Sequence, residues 1–169
     1  MPIDLASSRT PAASRNASAM DMLISLPSTL PLPGQALGMM LRKPLGSEHL
    51  VVIRWIADRF PTSWASEAAA ALSNRPTTLF IAQHDNDIQG FCCYDATARG
   101  FVGPIGVLES ARGQGIGAAL LLACLHDMRT MGYGYAIAGW VGEPEFFRKV
   151  AGAIEIPDST PGIYANMLK

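Results

Sequence analysis

The sequence has little charge and almost no net charge, which excludes several classes of partner. Only 16% of its 169 residues are charged, and the basic and acidic side chains balance to a net charge of −1. A domain that binds nucleic acid or an anionic membrane surface through charge needs a basic excess. We therefore expect neither nucleic acid nor membrane among its partners.

Cysteine is scarce, and long hydrophobic runs are absent. The three cysteines, Cys92, Cys93 and Cys124, are odd in number and lie inside apolar runs. This pattern argues against a disulfide framework and for a reducing compartment, so we expect a cytoplasmic protein. The three histidines lack the spacing of metal ligands, so no metal site is expected. No run approaches the roughly 18 apolar residues of a membrane-spanning helix.

Composition divides the chain into two parts. Residues 1–35 are rich in Ala, Ser and Pro, and the prolines are spaced too closely for regular structure, so we expect a flexible N-terminal extension there. Within it, the apolar residues 22–32 are suited to docking on the domain or on a second copy. Residues 36–169 are expected to form the folded domain, because the chain is long enough for one hydrophobic core but too short for two.

Hydrophobic periodicity and turn residues predict a mixed α/β (α+β) fold. The predicted order is a strand at 36–41, helices at 46–60 and 63–72, strands at 77–83, 88–94 and 101–108, a helix at 115–131, a strand at 133–140, a helix at 144–150, and strands at 154–156 and 163–168. Four antiparallel strands followed by strand, helix and strand match a doubly wound parallel sheet poorly. In the fourth strand, Gly103-Pro104 predicts a bulge, because proline cannot donate to a regular ladder.

The stretch that carries chemistry is a glycine-rich turn between the fourth strand and a long apolar helix. Gly113, Gly115 and Gly117 let an anion approach the backbone, and Arg112 adds a positive charge with fork geometry. The first N–H groups of a helix have no intrahelical partner and lie at the positive end of its dipole. The turn therefore predicts a site for a phosphate or pyrophosphate.

Two known phosphate-binding loops share features with this turn. A Walker A loop is excluded, because no Lys-Ser or Lys-Thr pair follows the glycines. A dinucleotide fingerprint is satisfied by Gly113, Gly115 and Ala118, but it needs an acidic residue about twenty positions later, and residues 133–139 contain none. Because the glycine spacing fits this fingerprint, an NAD(P)-binding oxidoreductase remains an alternative.

The segment Arg112-Gly113-Gln114-Gly115-Ile116-Gly117 resembles the R/Q-x-x-G-x-G/A signature of the GNAT acetyltransferase superfamily. Residues 143–153, EPEFFRKVAGA, resemble that family's short helix with an aromatic pair, and the resemblance extends over about 37–169. It implies a GNAT-like acyl-CoA N-acyltransferase fold. Such a fold has a mixed central sheet of six to seven strands, splayed between strands four and five, with about four flanking helices. Because family members are often dimers, it also implies a homodimer.

The resemblance also implies acetyl-CoA as cosubstrate and a set of residues that bind it. The fourth strand would pair with the pantetheine arm and the turn would hold the pyrophosphate, which gives the cofactor-binding set Ile105, Gly106, Val107, Arg112, Gly113, Gln114, Gly115, Ile116, Gly117 and Phe147. Phe147 occupies the position where the family often has the tyrosine that protonates the departing thiolate. Phenylalanine has no such proton, so Tyr164 or Tyr94 is the expected donor.

The implied reaction is transfer of acetyl to the primary amine of a small-molecule or peptide acceptor. The backbone N–H of Val107 is the expected oxyanion donor, and Glu109, Glu143 or Asp95 is the expected base. The helices at 46–60 and 63–72 commonly border the acceptor pocket in this family, although their tryptophans and Phe60 also fit simple core packing. Because Phe147 lacks a proton, a non-catalytic acyl-CoA-binding module remains a second alternative.

Overall fold

A seven-stranded mixed sheet forms the centre of the protein. The structure is a computed structural model that describes residues 19–34 and 38–168. The strands lie in the order β2-β3-β4-β5-β6-β1-β7 across the sheet. Their bounds are β1 Met20–Ser25, β2 Met40–Arg42, β3 Leu79–His84, β4 Asp87–Tyr94, β5 Phe101–Val107, β6 Tyr135–Val141 and β7 Ile154–Glu155.

Four helices cover the two faces of the sheet. Their bounds are α1 His49–Ala57, α2 Thr62–Ser73, α3 Ile116–Thr130 and α4 Pro144–Ala151. Residues of α1 and α2 pack in one core with Phe91 and Cys93, and residues of α3 and α4 pack in the other with Cys92 and Tyr94. Alternate residues of β4 therefore serve opposite cores, as the period of two in a strand requires. Among the described helices, none has the length and apolar character that would carry it across a membrane.

The pairing of the strands confirms the predicted mixed sheet. Strands β2 to β5 pair antiparallel in sequence order, and β5 then pairs parallel with β6 after the α3 crossover. The predicted helix at 115–131 and the predicted hairpin between 77–83 and 88–94 are confirmed within one or two residues of their ends.

The predicted boundary at residue 36 is wrong, because β1 belongs to the sheet. It lies between β6 and β7 and pairs antiparallel with both. Met22 and Ile24 are completely buried in the core on the α3 side. Periodicity in a six-residue strand inside a Ser- and Pro-rich stretch is a weak local signal, and both partners of β1 lie more than 100 residues away. Residues 1–18, 35–37 and 169 lie outside the described residues, and with them the first two residues of the predicted strand at 36–41, whose end overlaps β2.

The predicted last strand at 163–168 is also wrong. The chain instead forms a 3₁₀ turn at Gly162–Tyr164 after Pro161. Proline cannot donate to a ladder, and β1 already occupies the position between β6 and β7. The C-terminal segment is attached to β1 by backbone contacts, among them Ile156 N–H to Asp21 O at 2.9 Å.

The position of β1 predicts that Ile24→Ala destabilises the whole domain. Deleting a fully buried isoleucine side chain leaves a cavity and costs about 2–5 kcal/mol in the free energy of unfolding. Leu32→Ala is the matched control, since Leu32 is 78% exposed and should change the free energy of unfolding little. Urea unfolding of both variants measures the difference, and equal midpoints would show that β1 is not part of the cooperative core.

Candidate functional site

The sheet opens between β5 and β6. These parallel neighbours are paired only at Phe101 with Ile137 and at Val102 with Ala138. Beyond that point the strands diverge, and a wedge separates residues 103–107 of β5 from residues 139–141 of β6. We call this wedge the cleft, the Val102–Ala138 pair its apex, and the end where β5 and β6 finish its mouth. The cleft agrees with the splay that the family resemblance implies.

A bulge in β5 causes the opening. Cys92 and Tyr94 of β4 face Ile105 and Val102 of β5, so two steps along β4 correspond to three steps along β5. The extra residue lies at Gly103-Pro104, where Gly103 adopts a φ of +122° that glycine tolerates and other residues avoid. A bulge bends its strand and turns the residues beyond it. The second half of β5 consequently stays paired with β4 but leaves β6.

The backbone of β5 presents a polar edge to the cleft. Leu108 N–H donates to Gln89 O at 2.9 Å, and Gly106 faces Phe91. In an antiparallel ladder, alternate residues point their N–H and C=O groups toward the partner strand. Gly106 and Leu108 therefore point to β4, and Ile105 and Val107 point their backbone groups into the cleft.

The glycine-rich turn lies at the mouth of the cleft. Gly113 and Gly115 adopt φ values of +77° and +78°, and the turn from Arg112 to Gly115 is exposed. No side chain caps α3, and the first N–H with an intrahelical partner is that of Ala119, which donates to Gly115 O at 3.0 Å. The Arg112 Nε donates to Val107 O at 3.3 Å, which holds the guanidinium beside the end of β5. Free amides and a cation thus converge where an anion can bind.

The aromatic pair of α4 has one member at the cleft and one in the core. A Cβ on Gly117 would lie 3.6 Å from the ring of Phe146 and 3.7 Å from Val107 Cγ2, so Phe146 packs between the start of α3 and β5. Phe147 is only 9% exposed and belongs to the core on the α3 side. Successive residues of a helix point about 100° apart, so the two rings lie on different sides of α4, with Phe146 beside Val107 and Phe147 in the core.

The predicted carboxylates Glu109 and Glu143 both lie at the mouth. Glu109 opens the 3₁₀ turn Glu109–Ala111 just after β5, and Glu143 precedes α4 just after β6. The ends of parallel neighbouring strands lie at the same edge of a sheet, which brings both residues to one side of the molecule. Both are exposed. No group of three or more His, Cys, Asp or Glu residues suited to a metal ion occurs within the described ranges.

Tyr164 lies at the apex. A Cβ on Gly139 would overlap the Tyr164 hydroxyl, so the phenol rests directly on the backbone of β6 one residue beyond the last pair with β5. Its ring packs on Trp140 with a centroid separation of 4.9 Å. Burial raises the pKa of Tyr164 to about 12, and the carboxylates of Asp21 and Glu67 act in the same direction. The phenol therefore keeps its proton at neutral pH.

The other predicted donor and base, Tyr94 and Asp95, lie at the end of β4, where Tyr94 pairs with Val102, and the polar side-chain atoms of both are bound by other groups. Tyr94 is completely buried and donates to Asp127 Oδ2 at 2.6 Å, and burial is the first cause that raises its pKa above the usual range. Asp127 lies eleven residues into α3, about 16 Å along the helix from its start. Asp95 accepts from Tyr133 Oη at 2.7 Å and from Gly100 N–H at 2.6 Å. Both groups are thus engaged away from the cleft.

An aromatic cluster covers β5 on the α1 and α2 face. A Cβ on Gly106 would lie 2.8 Å from the rings of both Phe60 and Phe91, so these rings rest on the strand beside the cleft. Phe60 stacks on Trp64 with centroids 5.5 Å apart, and Trp55 packs on Phe60 at 5.6 Å. The cluster is compatible with core packing and with a border of the acceptor pocket, because it packs on the core and remains partly exposed next to the cleft.

Comparison with known proteins identifies the family. Residues 50–151 match the family model described as the acetyltransferase (GNAT) family. The matched range includes the glycine-rich turn, and the turn follows antiparallel strands instead of opening a first β-α-β unit. The dinucleotide-binding alternative is therefore wrong. No curated protein matches the chain.

Solved structures support the same fold at low sequence identity. A GCN5-related glucosamine N-acetyltransferase region of a fungal multi-domain GH3 β-N-acetylglucosaminidase aligns with a TM-score of 0.66 and 14% identity, over 82% of this chain and 20% of that one. A GCN5-related N-acetyltransferase from Sphaerobacter thermophilus aligns with a TM-score of 0.64 and 24% identity, over 81% and 48%. Another GCN5-related N-acetyltransferase, from Kribbella flavida, aligns with a TM-score of 0.58 and 18% identity, over 81% of this chain and 54% of that one. This chain thus spans from a fifth to about half of their lengths. Because the family model covers more than half of the chain and these folds agree, the chain belongs to the GNAT acetyltransferase family.

Proposed function

We propose that the protein transfers the acetyl group of acetyl-CoA to a primary amine. The cleft carries this proposal, because a polar strand edge at Ile105 and Val107 leads from an anion-binding helix start to the apex. Acetyl-CoA has the complementary chemistry: a pyrophosphate, amide groups along its arm, and a thioester at the end. Residues 112–117 would hold the pyrophosphate, and the β5 edge would pair with the amides.

The reaction needs a neutral amine and a stabilised oxyanion. A base removes one proton from the ammonium, the neutral nitrogen attacks the thioester carbon, and a C–N bond forms. The nitrogen then loses a second proton to the same base or to water, and the C–S bond breaks as the thiolate leaves. We assign the stabilisation of the oxyanion to the backbone N–H of Val107, which points into the cleft because of the pairing of β5 with β4. An oriented amide that needs no reorganisation stabilises the developing charge most effectively.

We assign the stabilisation of the departing sulfur to Tyr164. Its hydroxyl lies at the apex on Gly139, and a phenol with a pKa of about 12 retains its proton. A free thiol has a pKa of about 8.5, so full proton transfer from this phenol to the thiolate is unfavourable. Tyr164 instead donates a hydrogen bond to the thiolate, which takes up a proton from water after it leaves.

We assign the proton acceptor to Glu109 or Glu143. Both stand exposed at the mouth, where a carboxylate can pass the proton to bulk water. Their placement after neighbouring parallel strands puts them on either side of the opening, so either can serve an amine that enters the cleft.

The acceptor in this proposal is a small-molecule or peptide amine, and the compartment is the cytoplasm. A net charge of −1 gives no attraction to highly charged polymers. Cys92, Cys93 and Cys124 are free and buried, which supports a reducing compartment. A homodimer stays a prediction from the family resemblance.

Acetyl-CoA should stabilise the protein against heat. A ligand at one hundred times its Kd adds about 2.7 kcal/mol, which raises the Tm of a domain of this size by roughly 5–11 °C. NAD is the control and should produce no shift. Stabilisation by NAD alone would contradict the assignment. If acetyl-CoA binds, thiol release with a panel of amines separates a transferase from a non-catalytic module.

Arg112→Ala should weaken acetyl-CoA binding by about tenfold. A hydrogen bond to a charged group contributes about 1.5–3 kcal/mol, and the exposure of Arg112 places its effect at the low end. Arg99→Ala is the matched control, because Arg99 is also exposed but lies at the opposite end of β5. Titration calorimetry measures both Kd values, and equal values would remove Arg112 from the site.

Substitution of the two mouth carboxylates should identify the base. In Glu109→Gln and Glu143→Gln, the variant that lacks the proton acceptor should lose about 10²- to 10⁴-fold in kcat, and the other should keep wild-type turnover. Acetyl-CoA affinity should be unchanged in the affected variant. If both variants turn over like wild type from pH 6 to 9, neither glutamate is the base.

A further inference from the structure

Strand β6 carries a bulge of its own beside the cleft. Met20 and Met22 of β1 face Val141 and Ala138 of β6, so two steps along β1 correspond to three along β6. The extra residue lies at Gly139-Trp140. Trp140 adopts a φ of +48°, a left-handed conformation that is rare and costly for a bulky residue. Such a conformation persists only where surrounding contacts hold it.

Asp21 supplies the contact that holds this bulge. Its Oδ1 accepts the N–H of Trp140 at 2.8 Å, and its side chain is nearly buried, with 8% exposure. The bond satisfies a donor that the bulge removes from the regular ladder. Asp21 points to the α1 and α2 face, since its neighbour Met22 points to the opposite core.

Asp21 also contacts the segment that carries Tyr164. Its backbone O accepts Ile156 N–H at 2.9 Å, and its N–H donates to Ser159 Oγ at 2.9 Å. A Cβ on Gly162, the first residue of the turn Gly162–Tyr164, would lie 3.5 Å from Asp21 Oδ2. The carboxylate thus bonds the bulge of β6 and lies beside the start of the tyrosine's turn, while the backbone of Asp21 binds Ile156 and Ser159.

These contacts decide where the Tyr164 phenol lies. The ring is stacked on Trp140, and the hydroxyl rests on Gly139, where any side chain would displace it. The hydroxyls of Tyr94 and Tyr133 donate to carboxylates, whereas no comparable bond to the Tyr164 hydroxyl occurs among the described residues. Packing alone holds this phenol, so its position depends on the groups that fix Trp140 and the turn.

We propose that Asp21 is a positioning residue that holds Trp140 and the turn of Tyr164 so that the phenol stands at the apex of the cleft. The proposal rests on the proposed function, in which Tyr164 donates a hydrogen bond to the departing sulfur. It adds a role for the N-terminal strand: β1 sets the geometry of the leaving-group site through a carboxylate that does not touch the substrate.

A double-mutant cycle tests the proposal. Tyr164→Phe should lower kcat by about 10- to 100-fold with unchanged Kd for acetyl-CoA, the effect of one hydrogen bond to a charged group. Asp21→Ala should lower kcat by a similar factor. The double variant should be no slower than Tyr164→Phe, because Asp21 acts through the phenol. Factors that multiply in the double variant, or a wild-type kcat in Asp21→Ala, would overturn the proposal.

Conservative and matched variants separate positioning from general damage. Asp21→Asn keeps an acceptor for the Trp140 N–H and should restore most of kcat. Gly139→Ala leaves Asp21 unchanged but places a Cβ against both the Tyr164 hydroxyl and the Phe101 ring, so it should lower kcat at least as much as Tyr164→Phe, even if Asp21→Ala folds poorly. The exposed residues Tyr135 and Asp58 provide controls, as Tyr135→Phe and Asp58→Ala should keep wild-type kcat. Full activity in Gly139→Ala would count against a role for the phenol.

Different results test the proposed acetyl transfer and the positioning role of Asp21. If the wild-type protein binds acetyl-CoA but acetylates no amine in the panel, the proposed function is wrong. A crystal structure of Asp21→Ala then still tests the positioning role. Displacement of the Tyr164 hydroxyl from Gly139 would support it, and an unmoved phenol would refute it.

Discussion

The bulge at Gly103-Pro104 is the constraint on which the rest of the site depends. Without it, β5 would pair with β6 along its whole length, and the sheet would close. With it, the backbone groups of Ile105 and Val107 lose their neighbour on one side. An unpaired polar group that is buried costs about 1–3 kcal/mol, so such an edge persists only where water or a ligand can satisfy it. The same irregularity that weakens the sheet thus creates a binding edge.

A second bulge, in β6, lies across the cleft from the bulge in β5, and each bulge shapes a different part of the site. The bulge in β5 opens the cleft toward the glycine-rich turn, whereas the bulge in β6 at Gly139-Trp140 brings the aromatic pair of Trp140 and Tyr164 to the apex. The side that we propose for the acyl donor is built from one continuous segment, residues 101–117. The apex is assembled from β1, β6 and the C-terminal turn, which are distant in sequence and meet only in the folded sheet.

Particular residues show why prediction succeeded for one side and not for the other. Glycines at fixed spacing before an apolar helix indicate the turn after β5 in the sequence. The free N–H groups at the start of that helix follow from local backbone geometry. Asp21 carries no such signal: it is one acidic residue in a stretch rich in Ala, Ser and Pro, and its partner Trp140 lies 119 residues away. Phe146 and Phe147 are indistinguishable by composition, and only the packing of α4 assigned one to the cleft and one to the core.

The sequence by itself determined the glycine-rich helix start, the bulge in β5, the order of most strands and helices, and the family to which they point. All of these depend on backbone preferences and periodicities that act within a few residues. Tertiary structure alone decided that β1 belongs to the sheet, that residues 163–168 do not form a strand, and that the Tyr164 hydroxyl lies on Gly139 while the Tyr94 hydroxyl donates to Asp127. The first two outcomes depend on pairings across more than 100 residues, and the positions of the two tyrosines depend on contacts between different elements, such as that of Tyr94 with Asp127, 33 residues away. The position of a strand edge or of a phenol depends on competition among all the partners available in the folded chain. A local sequence pattern contains no information about that competition.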